Sequence, residues 1–447
     1  MTAPAALRVG RYAASAPEAS PDVVDAVGRA VLDTVAVAVA ARADPVVHAL
    51  TSTVSQGGAA RLWTGGPPVS PEQAALVNGA AGHVLDYDDV TSPLRGHPSI
   101  AIIPGLLALA GAEDADGSAV AGAYAVGFEV MLKLAKAMAV PHYAAGWHST
   151  TTIGGIGATV AAARLLRLDA EQIADAIGLF AGQCSGTREN FGTPAKSFQV
   201  GAACASAVRS ALAARAGVTA GHGALDGPAG FTRLYGGDDG ITRRLHDLLD
   251  ELGAAPGELR TSGLDVKKYP MCYAAHRALD AVLDLRTEQD VNAEDVVRVD
   301  VRTSGAALTP LIHHRPATGL EAKFSMEYGM AAALLDGRPR LGSFTDEAVK
   351  RPQAQRLLAR VQAAESDTPM APRWAEVSLH LTDGRVLRGR AETLRGSAAA
   401  PLTLEELTAK AVDCFEHGGR APLARPFAAA LRRWADRPVR DVLAVLT

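Results

Sequence analysis

The sequence has 447 residues, 48% of them hydrophobic, so it can bury one large core, and two domains are the simpler expectation. The formal net charge of −4 and the absence of basic runs argue against nucleic acid or an acidic membrane surface as the main partner. The four cysteines lack C-x-x-C spacing, which excludes the common patterns of structural zinc and iron–sulfur sites.

Targeting and membrane signals are also weak. The first 20 residues contain no continuous apolar stretch of the kind that a signal peptide needs, and we predict an irregular lead-in there. No run reaches the roughly 18 consecutive apolar residues of a membrane span. We therefore expect a soluble cytoplasmic protein, in keeping with dispersed cysteines in a reducing compartment.

The first half of the chain is predicted to be nearly all helix. Residues 23–41 are rich in Ala and Val on most faces, which indicates a core helix. The small residues of this half permit close helix–helix approach in a large bundle. Further helices are predicted at 70–86, 99–112 (interrupted near Pro104), 116–140, 152–167, after the capping pair Asp169 and Gln172, and at 201–217.

The pattern changes after about residue 265. Residues 295–304 alternate apolar and polar side chains and indicate a strand, and 375–392 give two such runs around the turn Asp383-Gly384. Helical patterns surround them at 272–286, 322–336 and 345–364.

We therefore predict a mainly α protein with an α+β part. A helical domain over 1–265, completed by 400–447, would carry an inserted α+β lid domain over 266–399. In such an arrangement, the junction of the two domains is a common place for a ligand.

Polar residues concentrate in the stretch 78–105, between two runs of small apolar residues. It contains His83, Asp86, Arg95, His97 and the pair Asp88-Asp89. Such a cluster is costly between apolar helices unless it is paired or functional, so we expect an active-site loop. The alternative is a solvated loop with a capping aspartate. Asp88 and Asp89 have no histidine partner at metal-ligand spacing, so we predict a loop-ordering role and no metal.

Two other segments carry candidate chemistry in the first half. In GWHSTTTIGGIG (146–157), His148 precedes four hydroxyl side chains and a helix start, where exposed N–H groups could hold a carboxylate. The alternative for its glycines is a tight helix crossing. Lys196 stands just before an apolar helix, where a lysine is unfavourable, and either binds a substrate carboxylate or is simply solvated.

These segments form an ordered series with others: HVLDYDD…GHPS, GWHSTTT, GT-x-x-K, DGPAGF (226–231), KKYP…C…H (267–276) and EAKFSMEYGMAAALLDG. The series, which spans essentially the whole chain, resembles the MmgE/PrpD family of 2-methylcitrate dehydratases, cis-aconitate decarboxylases and iminodisuccinate epimerases. The resemblance implies a large helical domain, a smaller α+β lid and a homodimer. It also implies an active site at the domain junction that uses neither metal nor organic cofactor. Carried over by motif, its site residues are Asp86, His97, His148, Lys196, Lys267 and His276.

The chemistry shared by these enzymes is a carbanion formed next to a carboxylate, which needs a base, an acid and cations. We assign His97 and His148 as the acid–base pair, with Asp86 orienting one imidazole and His276 closing the site from the lid side. The substrate-binding residues would be Lys196, Lys267, Arg95 and Thr91.

The resemblance leaves the reaction open. We expect a 2-methylcitrate dehydratase-like hydro-lyase that acts on a small di- or tricarboxylate. An epimerase of the iminodisuccinate type, which the RGHPS ending (95–99) resembles, and a cis-aconitate-type decarboxylase are alternatives. A further alternative is an inert carboxylate-binding relative, because Val90 and Gln199 stand where many members have polar residues.

Overall fold

The computed structural model describes residues 3–237 and 239–446. Within it the chain separates into two compact units, one made of Met1–Asp265 with Leu404–Thr447 and the other of Val266–Thr403. The first is helical and the second combines helices with a small sheet. The predicted fold class is therefore confirmed.

The first unit is a helical bundle. Its N-terminal part contains α1 (Ala5–Ser15), α2 (Pro21–Ala40), α3 (Pro45–Thr53), α4 (Pro71–Val84), α5 (Pro98–Ala112), α6 (Gly117–Ala144), α7 (Ile153–Leu165), α8 (Ala170–Ala181), α9 (Ala195–Arg215), α10 (Phe231–Gly236), α11 (Asp239–Leu249) and α12 (Glu258–Thr261).

The second unit contains a four-stranded sheet and short helices. In chain order its elements are α13 (His276–Glu288), β1 (Val296–Thr303), α14 (Gly319–Ala322), α15 (Met326–Asp336), α16 (Asp346–Val349), α17 (Pro352–Leu358), β2 (Val361–Glu365), β3 (Ala375–Leu381) and β4 (Val386–Ala391). The strand order is β2-β1-β3-β4; β1 and β2 are parallel and the other pairs antiparallel. The chain then returns to the first unit as α18 (Leu404–His417), α19 (Ala424–Leu431) and α20 (Val439–Leu443).

Glycine permits a close helix contact where α6 crosses α7. A Cβ added at Gly157 would stand 2.7 Å from the carbonyl oxygen of Gly127, and one at Gly127 would stand 2.4 Å from that of Gly157. Only residues without a side chain permit this approach. By length and composition α6 could cross a membrane, but 78% of its apolar window is buried within the protein, and a core helix passes the same test.

Helix α5 continues through Pro104, so the predicted interruption is wrong. A proline removes the N–H that would reach the carbonyl four residues earlier, here that of Ile100. The thiol of Cys204 on α9 instead approaches the Ile100 oxygen at 3.2 Å and donates to it. A partner from another helix therefore replaces the missing backbone bond.

Two other predictions are wrong in local structure. The N-terminal lead-in contains helix α1, which buries Ala5, Val9 and Ala13 against α8. The helical pattern predicted for 345–364 ends early, because Val361–Glu365 forms strand β2 and pairs in parallel with β1. Both segments are alanine-rich and owe their structure to partners distant in sequence.

The glycine crossing gives a stability prediction. We expect Gly157→Ala to lower the free energy of unfolding by about 1–3 kcal/mol, because the added methyl group must separate α6 from α7. The matched control is Gly111→Ala in α5, where a Cβ would meet no atom within 4 Å. That change should be neutral or stabilising by up to about 1 kcal/mol. Denaturant unfolding of both variants tests this; equal effects would contradict the crossing.

Candidate active site

The loop between α4 and α5 carries a buried carboxylate held by two histidines. His83 lies in the last turn of α4, and its Nδ1 is 3.0 Å from Asp88 Oδ2. His97 immediately precedes α5, and its Nδ1 is also 3.0 Å from the same oxygen, without the alignment of a hydrogen bond. The His83 and His97 rings meet edge to face at 4.6 Å between centroids. One carboxylate oxygen therefore faces two imidazoles.

The charge on Asp88 depends on these neighbours. Burial alone would raise its pKa, but the His97 and His83 imidazoles reverse this and hold the pKa well below its ordinary value. Asp88 is therefore an ionised acceptor, and His83 Nδ1 must be the donor of their hydrogen bond. Burial lowers the pKa of His83 to about 4, although Asp88 opposes the shift. His83 is neutral at pH 7.

The same loop is fixed from behind by a buried lysine. Lys410 on α18 donates to the carbonyl oxygen of Tyr87 at 2.8 Å, and its Nζ lies 4.0 Å from the centre of the Tyr87 ring. The lysine also pairs with Asp33 of α2 at 2.6 Å, and both side chains are almost fully buried. Breaking a buried pair leaves a bare charge, so this contact fixes the backbone between Asp86 and Asp88 strongly.

Asp89 ties the loop to the beginning of α5. It accepts a hydrogen bond from the Ser99 backbone N–H at 3.2 Å and one from the Ser99 hydroxyl. The hydroxyl of Tyr124 is 2.8 Å from Ser99 Oγ. Burial and the nearby Asp33 raise the pKa of Asp89 well above its ordinary value. The loop-ordering role predicted for the acidic pair describes Asp89.

Asp88 has histidine partners in space, although neither stands at a metal-ligand spacing in the sequence. His83, Asp88 and His97 offer ligand-type atoms that all lie within 4.8 Å of one another, a set that could hold a divalent cation. The partner was missed because His83 belongs to a helix and Asp88 to the loop after it, at a spacing that is not a metal-ligand motif. The predicted metal independence therefore needs a direct test.

Asp86 and Lys196 form the more accessible edge of the cluster. Lys196 Nζ donates to Asp86 Oδ1 at 2.7 Å, so the lysine is not simply solvated. Asp86 Oδ1 also lies 3.6 Å from His97 Nε2. Asp88 makes the closer contact with this imidazole, and Asp86 is positioned to balance the charge of Lys196. Asp86 itself has a left-handed backbone, with φ of 52°.

His148 completes a group of three imidazoles. Its ring centroid is 5.9 Å from that of His83, and its ring meets Phe191 edge to face at 4.9 Å. Burial, followed by the neighbouring His83, Lys196 and His97, lowers the pKa of His148 to about 2. The imidazole is therefore neutral at pH 7.

The three threonine hydroxyls after His148 are used by the protein itself, whereas the buried Ser149 hydroxyl makes no hydrogen bond within residues 3–237 and 239–446. Thr150 Oγ1 accepts from the His97 backbone N–H at 3.1 Å, and Thr151 Oγ1 donates to the carbonyls of His148 and Ser185. Thr152 Oγ1 bonds the His148 carbonyl and lies 2.7 Å from His142 Nε2. All three threonines are buried. They hold His148 and His97 at a fixed separation.

The remaining predicted residues have different surroundings. Arg95 is exposed, has φ of 54°, and places its guanidinium carbon 5.8 Å from the centre of the Tyr143 ring. Thr91 is buried, and its hydroxyl makes no hydrogen bond to the residues that the structure describes. Lys267 and His276 belong to the second unit, where both are buried and His276 Nε2 lies 3.2 Å from the Met271 carbonyl oxygen.

The structure thus brings Asp86, His97, His148 and Lys196 together within the first unit, and it adds His83 and Asp88. Sequence reasoning named these two but gave them no catalytic place. The available signal was a histidine in the last turn of a helix followed by an acidic loop. Lys410 had no such signal, because it lies 323 residues from its partner Tyr87.

Comparison with known proteins gives matches over most of the chain. Residues 8–244 match the MmgE/PrpD N-terminal domain and residues 269–436 match the MmgE/PrpD C-terminal domain. The cis-aconitate decarboxylase of Homo sapiens is 27% identical over 76% of this chain and 72% of its own. That of Mus musculus is 27% identical over 86% and 80%, respectively. That of Aspergillus terreus is 25% identical over 71% and 68%.

The depressed pKa of His148 gives a pH prediction. Its folded pKa lies below the unfolded value of 6.5, so its contribution to stability is full above pH 6.5 and is lost as the pH falls. His148→Gln removes this loss. Relative to the wild-type protein, the variant should gain about 2 kcal/mol between pH 6.5 and pH 5. Denaturant unfolding at both pH values checks this; a difference that does not change with pH would contradict the buried, neutral imidazole.

Proposed function

This chain belongs to the MmgE/PrpD family, and we propose that it decarboxylates a small unsaturated tricarboxylate of the cis-aconitate type. It is an enzyme of the lyase or isomerase class. The curated relatives support the decarboxylase alternative rather than the 2-methylcitrate dehydratase that we expected from the sequence. The observation that carries the proposal is the group of three imidazoles, in which His83 and His97 contact ionised Asp88 and His148 lies 5.9 Å from His83 between ring centroids.

Decarboxylation places two demands on these residues. The bond between carbon and the departing carboxylate breaks, carbon dioxide leaves, and the electron pair stays on carbon, where a neighbouring conjugated carboxylate stabilises it. A proton must then be delivered to that carbon. Cations such as Lys196 and Arg95 hold the carboxylates that remain, and an imidazole supplies the proton.

A neutral imidazole is a poor proton donor, so His148 must become protonated before it can act as the acid. A bound polyanion raises the pKa of a nearby imidazole, because opposite charge favours the protonated form. We propose that His148 takes up a proton from solution as the substrate binds and gives it to the carbanion. His97 is proposed as the second member of the acid–base pair. Asp88 contacts its imidazole Nδ1, and the Thr150 hydroxyl accepts a hydrogen bond from its backbone N–H.

The other reactions of the family use much of the same apparatus. A dehydratase removes an α-proton and expels a β-hydroxyl, and an epimerase removes and returns a proton. An inert relative would bind the anion without turnover. Solvent deuterium, carbon dioxide and alkene formation distinguish all four cases in one set of NMR experiments.

We predict that the protein releases carbon dioxide from cis-aconitate in heavy water and incorporates deuterium into the product. His148→Gln should lower turnover by about 10²–10⁴-fold with little change in melting temperature at pH 7.5, because it removes the proton donor but keeps a polar side chain. The matched control is His48→Gln in α3, where the histidine is exposed. Turnover at the wild-type rate in His148→Gln would end the catalytic role of His148.

The same assay with other substrates and with added chelator tests the alternative reactions and the need for a metal. Alkene formation from 2-methylcitrate, or proton exchange in iminodisuccinate, without release of carbon dioxide would replace the decarboxylase proposal by the corresponding alternative. Chelator should leave turnover unchanged if the enzyme is metal-independent. Loss of turnover that a divalent ion restores would instead show metal dependence, with His83, Asp88 and His97 as the candidate ligands.

Assembly and location remain part of the proposal. We propose a homodimer in the cytoplasm, on the grounds of the family resemblance and the apolar helices. Light scattering should then give about twice the 46.1 kDa of one chain.

A further inference from the structure

Arg188 lies in a segment that pairs with the backbone around His148 and to which the sequence motifs assign no role. Two short extended segments pair here: the His148 N–H donates to the Gly186 carbonyl at 3.0 Å, and the Arg188 N–H donates to the Gly146 carbonyl at 2.8 Å. Trp147 and Thr187 are opposite each other in this antiparallel pair. Side chains alternate along extended backbone, so His148 and Arg188 project from the same face as diagonal neighbours.

The ring contacts agree with this register. Phe191 is shared by three groups: the His148 ring at 4.9 Å, Lys196 Nζ at 5.4 Å and the Arg188 guanidinium carbon at 6.0 Å, each measured to the Phe191 centroid. Arg188 also stacks on Tyr143 at 3.8 Å, the ring that Arg95 approaches from 5.8 Å. Arg188 therefore shares the Phe191 ring with His148 and Lys196, and the Tyr143 ring with Arg95.

The hydrogen-bonding capacity of Arg188 is only partly used. Its Nη1 donates to the Tyr143 carbonyl oxygen at 2.9 Å. Its Nε is buried and has no hydrogen-bond partner among residues 3–237 and 239–446. Within the same residues no carboxylate lies within the 4.0 Å ion-pair distance of this guanidinium, whereas Lys196 is already paired with Asp86. A buried N–H of a cation is costly when unpaired, so a ligand that supplies an acceptor to Nε gains affinity from it.

We propose that Arg188 binds one carboxylate of the substrate and so makes the enzyme prefer a tricarboxylate to a dicarboxylate. This inference rests on the proposed function. A carboxylate is the acceptor that fits, because Nε and a neighbouring Nη form the fork that binds two carboxylate oxygens at once. The stacking on Tyr143 and the bond to its carbonyl hold the plane of the guanidinium, so little side-chain freedom is lost on binding.

Two ligands differing by one carboxylate test the inference without requiring turnover. Tricarballylate is a saturated tricarboxylate, and glutarate is the same chain without the central carboxylate. By calorimetry, Arg188→Met should weaken tricarballylate binding by about 10–100-fold and glutarate binding by less than about threefold, the scale of one charge-assisted hydrogen bond. Arg188→Lys should recover part of the preference, because it keeps the charge and loses the fork.

The matched control is Arg244→Met. Arg244 likewise donates through Nη1 to a carbonyl oxygen of α6, that of Ala137, at 2.8 Å. It is exposed, and none of its hydrogen bonds within the described part of the chain reaches a residue of the site. It should leave both affinities unchanged. Equal losses for the two ligands in Arg188→Met, or a lower melting temperature with the preference intact, would make Arg188 a structural residue and overturn the inference.

The outcome is separable from that of the proposed function. If wild-type protein prefers tricarballylate, loses this preference in Arg188→Met and yet releases no carbon dioxide from cis-aconitate, the inference stands and the decarboxylase proposal fails. If it decarboxylates cis-aconitate and Arg188→Met keeps the preference, only the inference fails. With cis-aconitate as substrate, a supporting result raises KM more than it lowers kcat. Wild-type protein that binds neither ligand, or binds both equally well, overturns the inference alone, because release of carbon dioxide from cis-aconitate decides the decarboxylase proposal separately.

Discussion

The candidate site depends on one buried ionised carboxylate, that of Asp88. Moving such a charge out of water costs several kcal/mol unless nearby groups compensate it. Here the compensation comes from His83 and His97, each with Nδ1 3.0 Å from the same oxygen. The two histidines stand on opposite sides of a loop, at the end of α4 and at the beginning of α5. The carboxylate therefore fixes the loop and the imidazoles at once.

Neighbouring residues of the loop are each held by a contact with a different part of the protein. Asp86 pairs with Lys196 at the accessible edge, the carbonyl of Tyr87 accepts from buried Lys410, and Asp89 bonds the first turn of α5 through Ser99. Lys410 comes from the C-terminal segment that returns to the first unit after the α+β unit. The geometry of the site is thus shared between segments far apart in the chain, and it is set before a substrate arrives.

Burial also sets the protonation of the site. The pKa of His83 is lowered to about 4 and that of His148 to about 2, chiefly because a charged imidazole is poorly solvated there. Because His83 and His148 are neutral, an anionic ligand brings the negative charge that stabilises their protonated forms. Binding and proton uptake are therefore coupled in this account, and the substrate helps to create the acid that later protonates it.

Much of the fold could be predicted because its signals are local. The Asp169–Gln172 capping box and the hairpin around Asp383-Gly384 both appear where their residues predict them. Contacts between distant segments gave no such signal. The sequence near Pro104 does not indicate that the Cys204 thiol donates a hydrogen bond to the carbonyl of Ile100. Strand β2 likewise forms because it pairs with β1, which is distant in sequence.

The site shows the same limit. Residue types and motif order were enough to place Asp86, His97, His148 and Lys196 in one site. They did not show that the threonines after His148 would be used by the protein itself, since the partners of Thr151 include Ser185. They also passed over Arg188, whose position follows from backbone pairing with Gly146.

The central claim, that ionised Asp88 holds a neutral His83 in one orientation, can be tested by ¹⁵N NMR of histidine-labelled protein. His83→Gln would assign the signal. The account predicts that His83 carries its proton on Nδ1 at pH 7, stays neutral through pH 5.5 and becomes charged only near pH 4. Titration near the ordinary value of 6.5, or a proton on Nε2 at pH 7, would contradict it.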